Sequence, residues 1–449
     1  MTLLSRITLS LAIAGSTLLV ARSAHAQDAP VRAAAERSIT LQEAITLALA
    51  QNSTIRFARN TTALDSLNER QARNAFRPNL VATSQSSQGF GAGSQGQNSF
   101  SVGGGVSSGV TLFDGGQNTG ALQQARLYLQ ASGQDLDRSR QTVVFIVASD
   151  FLALITQQEQ LRVQQENLVA QEQELAQLEQ FVRAGTRPIG DLYQQQAAVA
   201  ATRLALVNAR RAAEVAKVDL IQELLLDPRL DYTFITPTTL DAGSAPPFNL
   251  DSLITVALAQ RVDLRAQALR VRAAEREIRI AEGGRLPLVT GNAGYSGGYN
   301  SANDGAFASQ LNDRRGGSFG VGVSVPIFDR GAVSIARQRA RIQLDNQQLI
   351  LRDQEQSVAL EVRRANLDYV AAGEQLAAAN AQQAAAALAL QAAQSRYRVG
   401  LATFVEVTLA RASLVQAQSA VVSARSSLVF QQALMSYYTG VLDRNGIRL

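Results

Sequence analysis

The 449-residue chain carries 42 lysine and arginine residues against 37 aspartates and glutamates, with one histidine, no cysteine and no tryptophan. That histidine, His25, sits in a leader-like N-terminus, so the remainder has no histidine triad, thiol nucleophile, disulfide or ordinary His/Cys metal site. The positive excess is arginine dispersed among acids, and Lys217 follows no glycine-rich loop; both argue against nucleic acid and against a P-loop nucleotide.

Residues 1–26 have the form of a secretory signal: Arg6, an apolar stretch over Ile7–Val20, and Ala24-His25-Ala26 as the cleavage site. Residues 27–39 carry no clear pattern. Beyond them no apolar run is long enough to be expected as a membrane-crossing helix, so membrane contact must come through strands or at the surface. The segment LQEAITLALAQN at Leu41–Asn52 opens a helix expected to reach Phe76, with Thr40 and Glu43 forming a capping box. It returns as LDSLITVALAQR at Leu250–Arg261, capped by Asn249. The same shift carries Pro78 of RPNL onto Pro287 of RLPL.

Two glycine- and serine-rich stretches follow these helices. In the first, Phe100, Val102, Val106, Val110 and Leu112 alternate with small or polar residues; in the second, Phe319, Val321, Val323, Val325 and Ile327 do so. Such alternation over roughly ten to fourteen residues fits a strand facing lipid on one side. The partner strands Leu80–Phe90 and Leu286–Tyr299 alternate less cleanly, and Gly91–Asn98 and Asn300–Gly316 read as exposed loops. Four strands cannot close a membrane barrel, and open edges in lipid leave backbone groups unpaired at several kcal/mol each. A shared barrel built from several chains is the consequence. Three chains would supply twelve strands and twelve helical columns, as four of each per chain requires.

Each strand pair leads, through LFDGG at Leu112–Gly116 or IFDRG at Ile327–Gly331, into a long helix. Val147, Leu154, Leu161, Leu168, Leu175 and Val182 recur every seven residues, and so do Val362, Tyr369, Leu376, Gln383, Leu390 and Tyr397. The returning arms repeat the spacing with Leu192, Val199, Leu206, Ala213 and Leu220, and with Val407, Leu414, Val421, Leu428 and Met435. Sustained heptads keep a seam in register along a supercoiled pair. The first long helix, Gly120–Val182, is expected to span about 95 Å and its return, Gly190–Leu226, about 55 Å at 1.5 Å per residue. The seams are narrow and the remaining surface is polar, which suits a large closed ring of helices with a wet interior better than a dry four-helix core.

The hairpin tips are AGTRPIGD at Ala184–Asp191 and VGLATFVE at Val399–Glu406. Gly185 and Gly400 are expected to end the outgoing helices, with Thr186 or Thr403 capping the returning ones. Residues 40–240 and 241–442 thus form two repeats, with strands at about 79–113 and 286–328, hairpins at about 120–228 and 331–442, and 443–449 as a tail.

The recurrence, twice and in order, of LxxAxxxALxxN, RPNL or RLPL, TLFDGG or VPIFDRG, a long helix and a G-x(5)-[DE] tip resembles the outer-membrane efflux proteins, the TolC-like trimeric channel-tunnels. The resemblance covers nearly all of the mature sequence. It implies an α+β membrane protein whose trimer forms a 12-stranded outer-membrane β-barrel and a 12-helix periplasmic tunnel, a passive exit duct of a tripartite efflux or type I secretion system. The implied partners are a homotrimer, a periplasmic adaptor (membrane fusion) protein, an inner-membrane pump of RND, ABC or MFS type, and outer-membrane lipid, with no cofactor and no enzyme activity. The implied adaptor-docking tips are Gly185, Thr186, Arg187, Pro188 and Asp191, and Gly400, Leu401, Thr403 and Glu406. Arg183, Arg187 and Arg398 are candidates for interchain contact with Asp191 and Glu406 at the tunnel mouth. The family's polar or acidic rings above the tips have no acidic counterpart at Ala384–Ala387, where Asn380, Gln382 and Gln383 are the nearby polar groups. The competing reading is a periplasmic adaptor or coiled-coil scaffold without a pore. A secreted carboxylate hydrolase is disfavoured by the absence of tryptophan and of a suitable acidic cluster.

Overall fold

The computed structural model describes residues 37–90, 99–235, 249–303 and 306–441. The signal, the unassigned residues 27–36, the loop 91–98 and the tail 443–449 lie outside the described residues.

The chain opens with a short strand, β1 (Arg37–Ile39), followed by α1 (Leu41–Gln51) and α2 (Ser53–Asn74). The expected Thr40–Glu43 capping box is present, with Thr40 N–H donating to the Glu43 carboxylate at 2.8 Å. The single helix expected over Leu41–Phe76 is instead broken at Asn52. Its backbone leaves the helical region (φ −56°, ψ 132°), its Oδ1 accepts from Thr54 N–H, and its Nδ2 donates to Glu223 at 2.8 Å. A distant partner is what holds that break.

Next come β2 (Val81–Gly89), β3 (Ser99–Phe113), the long helix α3 (Gln117–Arg183), the returning α4 (Ile189–Glu223) and a short β4 (Tyr232–Phe234). The second half supplies α5 (Leu250–Gln260), α6 (Val262–Gly283), β5 (Leu288–Asn300), α7 (Phe307–Asp313), β6 (Gly316–Ser324), α8 (Ala332–Arg398) and α9 (Phe404–Tyr438). Helix lengths match between halves: 11 and 11, 22 and 22, 67 and 67, 35 and 35 residues. At 1.5 Å per residue each long helix is about 100 Å, and a short helix stacked on a returning arm makes up most of that height.

The LFDGG and IFDRG motifs are strand-to-helix turns. The Asp114 carboxylate accepts from Gly116 and Asn118 N–H, and Asp329 from Gly331 and Val333 N–H, so each aspartate satisfies amides that a helix start leaves unpaired.

The main sheet runs β2-β3-β5-β6, antiparallel throughout. Its register places Phe100, Val102, Val106 and Val110 of β3 on one face with Tyr295 and Tyr299 of β5 and Phe319, Val321 and Val323 of β6. Phe100, Val106, Tyr295, Phe319, Val321 and Val323 are exposed within the chain, Phe319 at 83%, while Val102, Val110 and Tyr299 are half-buried. β6 stops at Ser324, short of the alternation read through Val325 and Ile327, because Pro326 has no amide to donate. β2 carries mostly serine and glutamine on both faces.

Three elements were not expected. β1 pairs in parallel with β4, Ile39 opposite Phe234, in a two-stranded sheet. α7 folds within the stretch read as loop. One stretch of α3 is also apolar enough to cross a membrane by composition. It holds the largest core, in which Val143, Val147, Phe151, Leu154 and Ile155 pack against Ile45, Leu220 and Phe234, so its hydrophobicity is spent on tertiary packing. The heptad seams are in place: every seam position on the four arms is buried or half-buried.

Packing arranges the helices as four columns. α2 and α4 lie on one side of α3, α6 and α9 on the other, and α8 lies beyond α6 and α9. The sheet has the same order, so β2 and β6 continue the two outer columns as its free edges.

Candidate functional site

The far end of the wall is made by the two hairpin tips. After α3, Gly185 adopts φ +70° and Thr186 folds back, its N–H and its hydroxyl both donating to the Phe181 carbonyl. Thr186 thus closes α3; it does not cap α4, whose N-cap is Pro188 without a side-chain bond. The second tip follows the expected scheme more fully. Gly400 sits at φ +80°, Leu401 N–H donates to the Arg396 carbonyl at 2.8 Å, and Thr403 and Glu406 form a capping box at the start of α9.

The tips are joined to each other. Arg187 Nη2 donates to the Tyr397 carbonyl at 2.6 Å and the Arg398 carbonyl at 3.1 Å, while its guanidinium lies 4.2 Å above the Tyr397 ring. A cation placed on the carbonyls at a helix C-terminus is favourable in charge as well as in hydrogen bonding. Tyr397 Oη in turn donates to Asp191 Oδ2 at 2.7 Å. Burial, and then the bond to Asp191, push the Tyr397 hydroxyl's pKa above its ordinary value, so it stays a donor. One turn inside, Phe404 packs on Tyr397 with ring centroids 5.5 Å apart. Higher up, Arg411 of α9 reaches Glu174 of α3 at 2.6 Å, with only 11% and 19% of the two side chains exposed.

Of the residues singled out from sequence, Arg187 and Asp191 are therefore brought together through Tyr397. Glu406 serves its own cap and pairs with Arg396 at 3.4 Å. Arg183 pairs along its own helix with Glu179 at 3.5 Å, and Arg398 donates to Ser395 Oγ. Asn380 and Gln383 lie on α8 about 20–25 Å from Tyr397 by helix rise, outside this cluster. Sequence reading took Tyr397 only as a seam position. The available signal was a tyrosine where the first half has Val182, a polar tip at an apolar position beside a turn. Between the tips lies an open groove of about 810 Å³, lined by Glu174, Phe181, Arg187, Tyr397, Arg398 and Phe404 among others. Among the described residues no cluster of three or more acidic, histidine or cysteine side chains is placed to hold a metal.

The family pattern described as "Outer membrane efflux protein" matches twice, over residues 44–224 and 253–440. The chain belongs to the outer membrane efflux protein family. This efflux protein is 25% identical over 421 residues to outer membrane efflux protein BepC of Brucella suis, covering 92% of this chain and 88% of that one. It is 25% identical to outer membrane protein TolC of Vibrio cholerae, over 69% of this chain and 70% of that one. Its fold is that of solved channels: CusC (TM-score 0.79, 19% identity, 89% and 92% of the two chains) and VceC of Vibrio cholerae (TM-score 0.75, 19% identity, 89% and 96%). The efflux protein is an outer-membrane exit channel for an efflux or secretion system. The uncovered apolar face of its sheet and the polar helical wall beyond it suit the two environments such a channel joins.

Proposed function

We propose that three copies of the efflux protein associate head to tail into a closed duct, a 12-stranded barrel in the outer membrane continued by a 12-helix tunnel through the periplasm. The observation that carries this reading is that both layers of one chain end at the same two edges. β2 and the α2/α4 column form one edge, β6 and α8 the other. Each edge carries unsatisfied surface. Phe57 and Leu64 of α2, with Leu204 and Val218 of α4, are mostly exposed, as are Ile342 and Leu367 of α8. Two different surfaces that complement each other generate a ring when the rotation closes, and closure alone pairs every strand edge in lipid.

At the other end the paired tips, Gly185–Asp191 and Gly400–Glu406, form the surface proposed to receive a periplasmic adaptor. The open groove between them, about 810 Å³, is lined in part by the apolar Phe181 and Phe404. The Arg187–Tyr397–Asp191 contacts are proposed as the latch that holds the hairpins together at the tunnel mouth until the adaptor engages. Energy would come from an inner-membrane pump of RND, ABC or MFS type, leaving this chain a passive duct without catalytic residues.

The test is the mass of the particle extracted in detergent from outer membranes. A trimer supports the shared barrel. A monomer that stays folded in the periplasm would overturn it, since its strand edges would then need no partner.

A further inference from the structure

α7, Phe307–Asp313, lies on the apolar face of the sheet near the loop end of β5 and β6. The Phe307 ring lies tilted against Tyr299 with centroids 5.1 Å apart, and a Cβ placed on Gly297 would sit 3.6 Å from the Leu311 carbonyl. Gln310 fastens the helix to the strand end, its Oε1 accepting from Asn300 N–H and its Nε2 donating to the Asn303 carbonyl. Yet Phe307 and Leu311, one turn apart, remain 53% and 43% exposed. The face of the helix that carries Phe307, Gln310 and Leu311 holds it to the end of β5 through Gln310 and the Phe307 edge, and about half of the apolar surface of Phe307 and Leu311 stays uncovered.

Arg315 completes the arrangement. The β5–β6 register puts Gly316 opposite Ser296, so Arg315 stands opposite Gly297, at the head of the outward row that continues through Gly317, Phe319, Val321 and Val323. It is exposed and has no ion-pair partner among the described residues. Its neighbour Arg314 folds onto the Asn303 amide, and the nearby Asp313 takes the Asn312 amide. Gly297 and Gly317 carry no side chains, which leaves a shallow notch walled by Arg315, Tyr295 and the α7 backbone: a Cβ on Gly297 would sit 3.6 Å from Arg315 and the Leu311 carbonyl, and one on Gly317 3.5 Å from the Tyr295 ring.

We propose that this notch is a lipid site. An acyl chain lies along Phe319, Val321 and Val323, α7 seats Phe307 and Leu311 among the neighbouring chains, and Arg315 binds the headgroup phosphate of an anionic lipid. An arginine at the top of an apolar row snorkels toward phosphate at the interface, and aromatic side chains mark that same depth. The proposal rests on the apolar face being the lipid face of the barrel.

The chain has no tryptophan, so Phe319→Trp is a single fluorescent reporter just below the notch. The protein is reconstituted in phosphatidylcholine–phosphatidylglycerol vesicles in which one or the other lipid carries brominated chains at equal mole fraction. Quenching by both establishes that this face meets lipid. The site predicts preferential quenching by brominated phosphatidylglycerol, corresponding to about five-fold local enrichment for one interfacial cation. That preference is lost in Arg315→Gln and kept in Arg315→Lys. Equal quenching by the two lipids, or a preference that survives Arg315→Gln, overturns the lipid site while leaving the barrel intact. Absence of quenching by either lipid overturns both.

Discussion

Tyr397 Oη donates to Asp191 Oδ2 at 2.7 Å, tying the last turn of α8 to the first turn of α4, 206 residues earlier in the chain. It is a bond between the two hairpins, and Arg187 reinforces it by reaching from the first tip to the carbonyls that end α8. The two repeats meet at these tips through side chains, so the proposed tunnel mouth is expected to respond to single substitutions.

Tyr397→Phe removes one hydrogen bond and leaves the ring for Arg187 and Phe404. A bond of this kind is worth about 1 kcal/mol net, which shifts a closed-to-open ratio by about five-fold. Single-channel recordings are expected to show the larger conductance state about five-fold more often, with Asp191→Asn giving a smaller effect because its amide oxygen still accepts. Unchanged recordings would sink the latch.

The Tyr397 hydroxyl's pKa is raised, so its donor form persists above the ordinary tyrosine range as pH rises. The closed-state fraction is therefore expected to show no tyrosine titration between pH 7 and about 10. A transition in that window that disappears in Tyr397→Phe would contradict the assignment.

Asp150 of α3 is half-buried near Glu223 and Asp219, and burial followed by those charges raises its pKa to about 6. The folded state then holds a proton that the unfolded chain releases near pH 4, so this group's contribution to stability is fully present at low pH and lost as pH rises through about 6. Thermal unfolding of Asp150→Asn should show a higher midpoint at pH 7.5 than the parent and a flatter pH dependence between 4 and 6. A midpoint below the parent's at pH 7.5 would show that the carboxylate is favoured there.

Arg411 and Glu174 form an ion pair with little exposure between α9 and α3, and Arg411 Nε has no hydrogen-bond partner among the described residues. Removing one partner strands the other, at a cost of about 2–3 kcal/mol after allowing for residual solvent. Glu174→Met is expected to lower the unfolding midpoint more than the double substitution with Arg411→Met. Additive losses would mean the two groups do not interact.

Phe151 is fully buried and meets Phe234 edge-on at 6.1 Å, joining α3 to β4. Phe151→Ala should cost about 3–5 kcal/mol and release the β1–β4 pair first, read as faster amide exchange at Ile39 and Phe234 than along the hairpins.

Gly185 and Gly400 show what was legible in advance. A glycine between two heptad-bearing arms marks a helix end, and both adopt positive φ as that position demands. The heptad seams, the Thr40 and Thr403 caps and the strand alternation were readable for the same reason: each is a pattern along a few turns or one strand, in which the neighbours in sequence are the neighbours in space. The doubling of the chain was readable because matching motifs recur in the same order in both halves.

The remainder depended on groups far apart in the chain. The break at Asn52 is held by Glu223, and the equivalent break at Arg261 by Asp263 nearby and Glu361 on α8. β1 exists because β4 lies beside it. α7 is held by Asn300, Asn303 and Tyr299. Tyr397 found Asp191 only when two hairpins stood side by side. Local pattern determined the long helices, the main strands and the hairpin turns; the short elements and the side chains that meet across columns were decided by packing, because such pairings have no periodicity for a sequence to display.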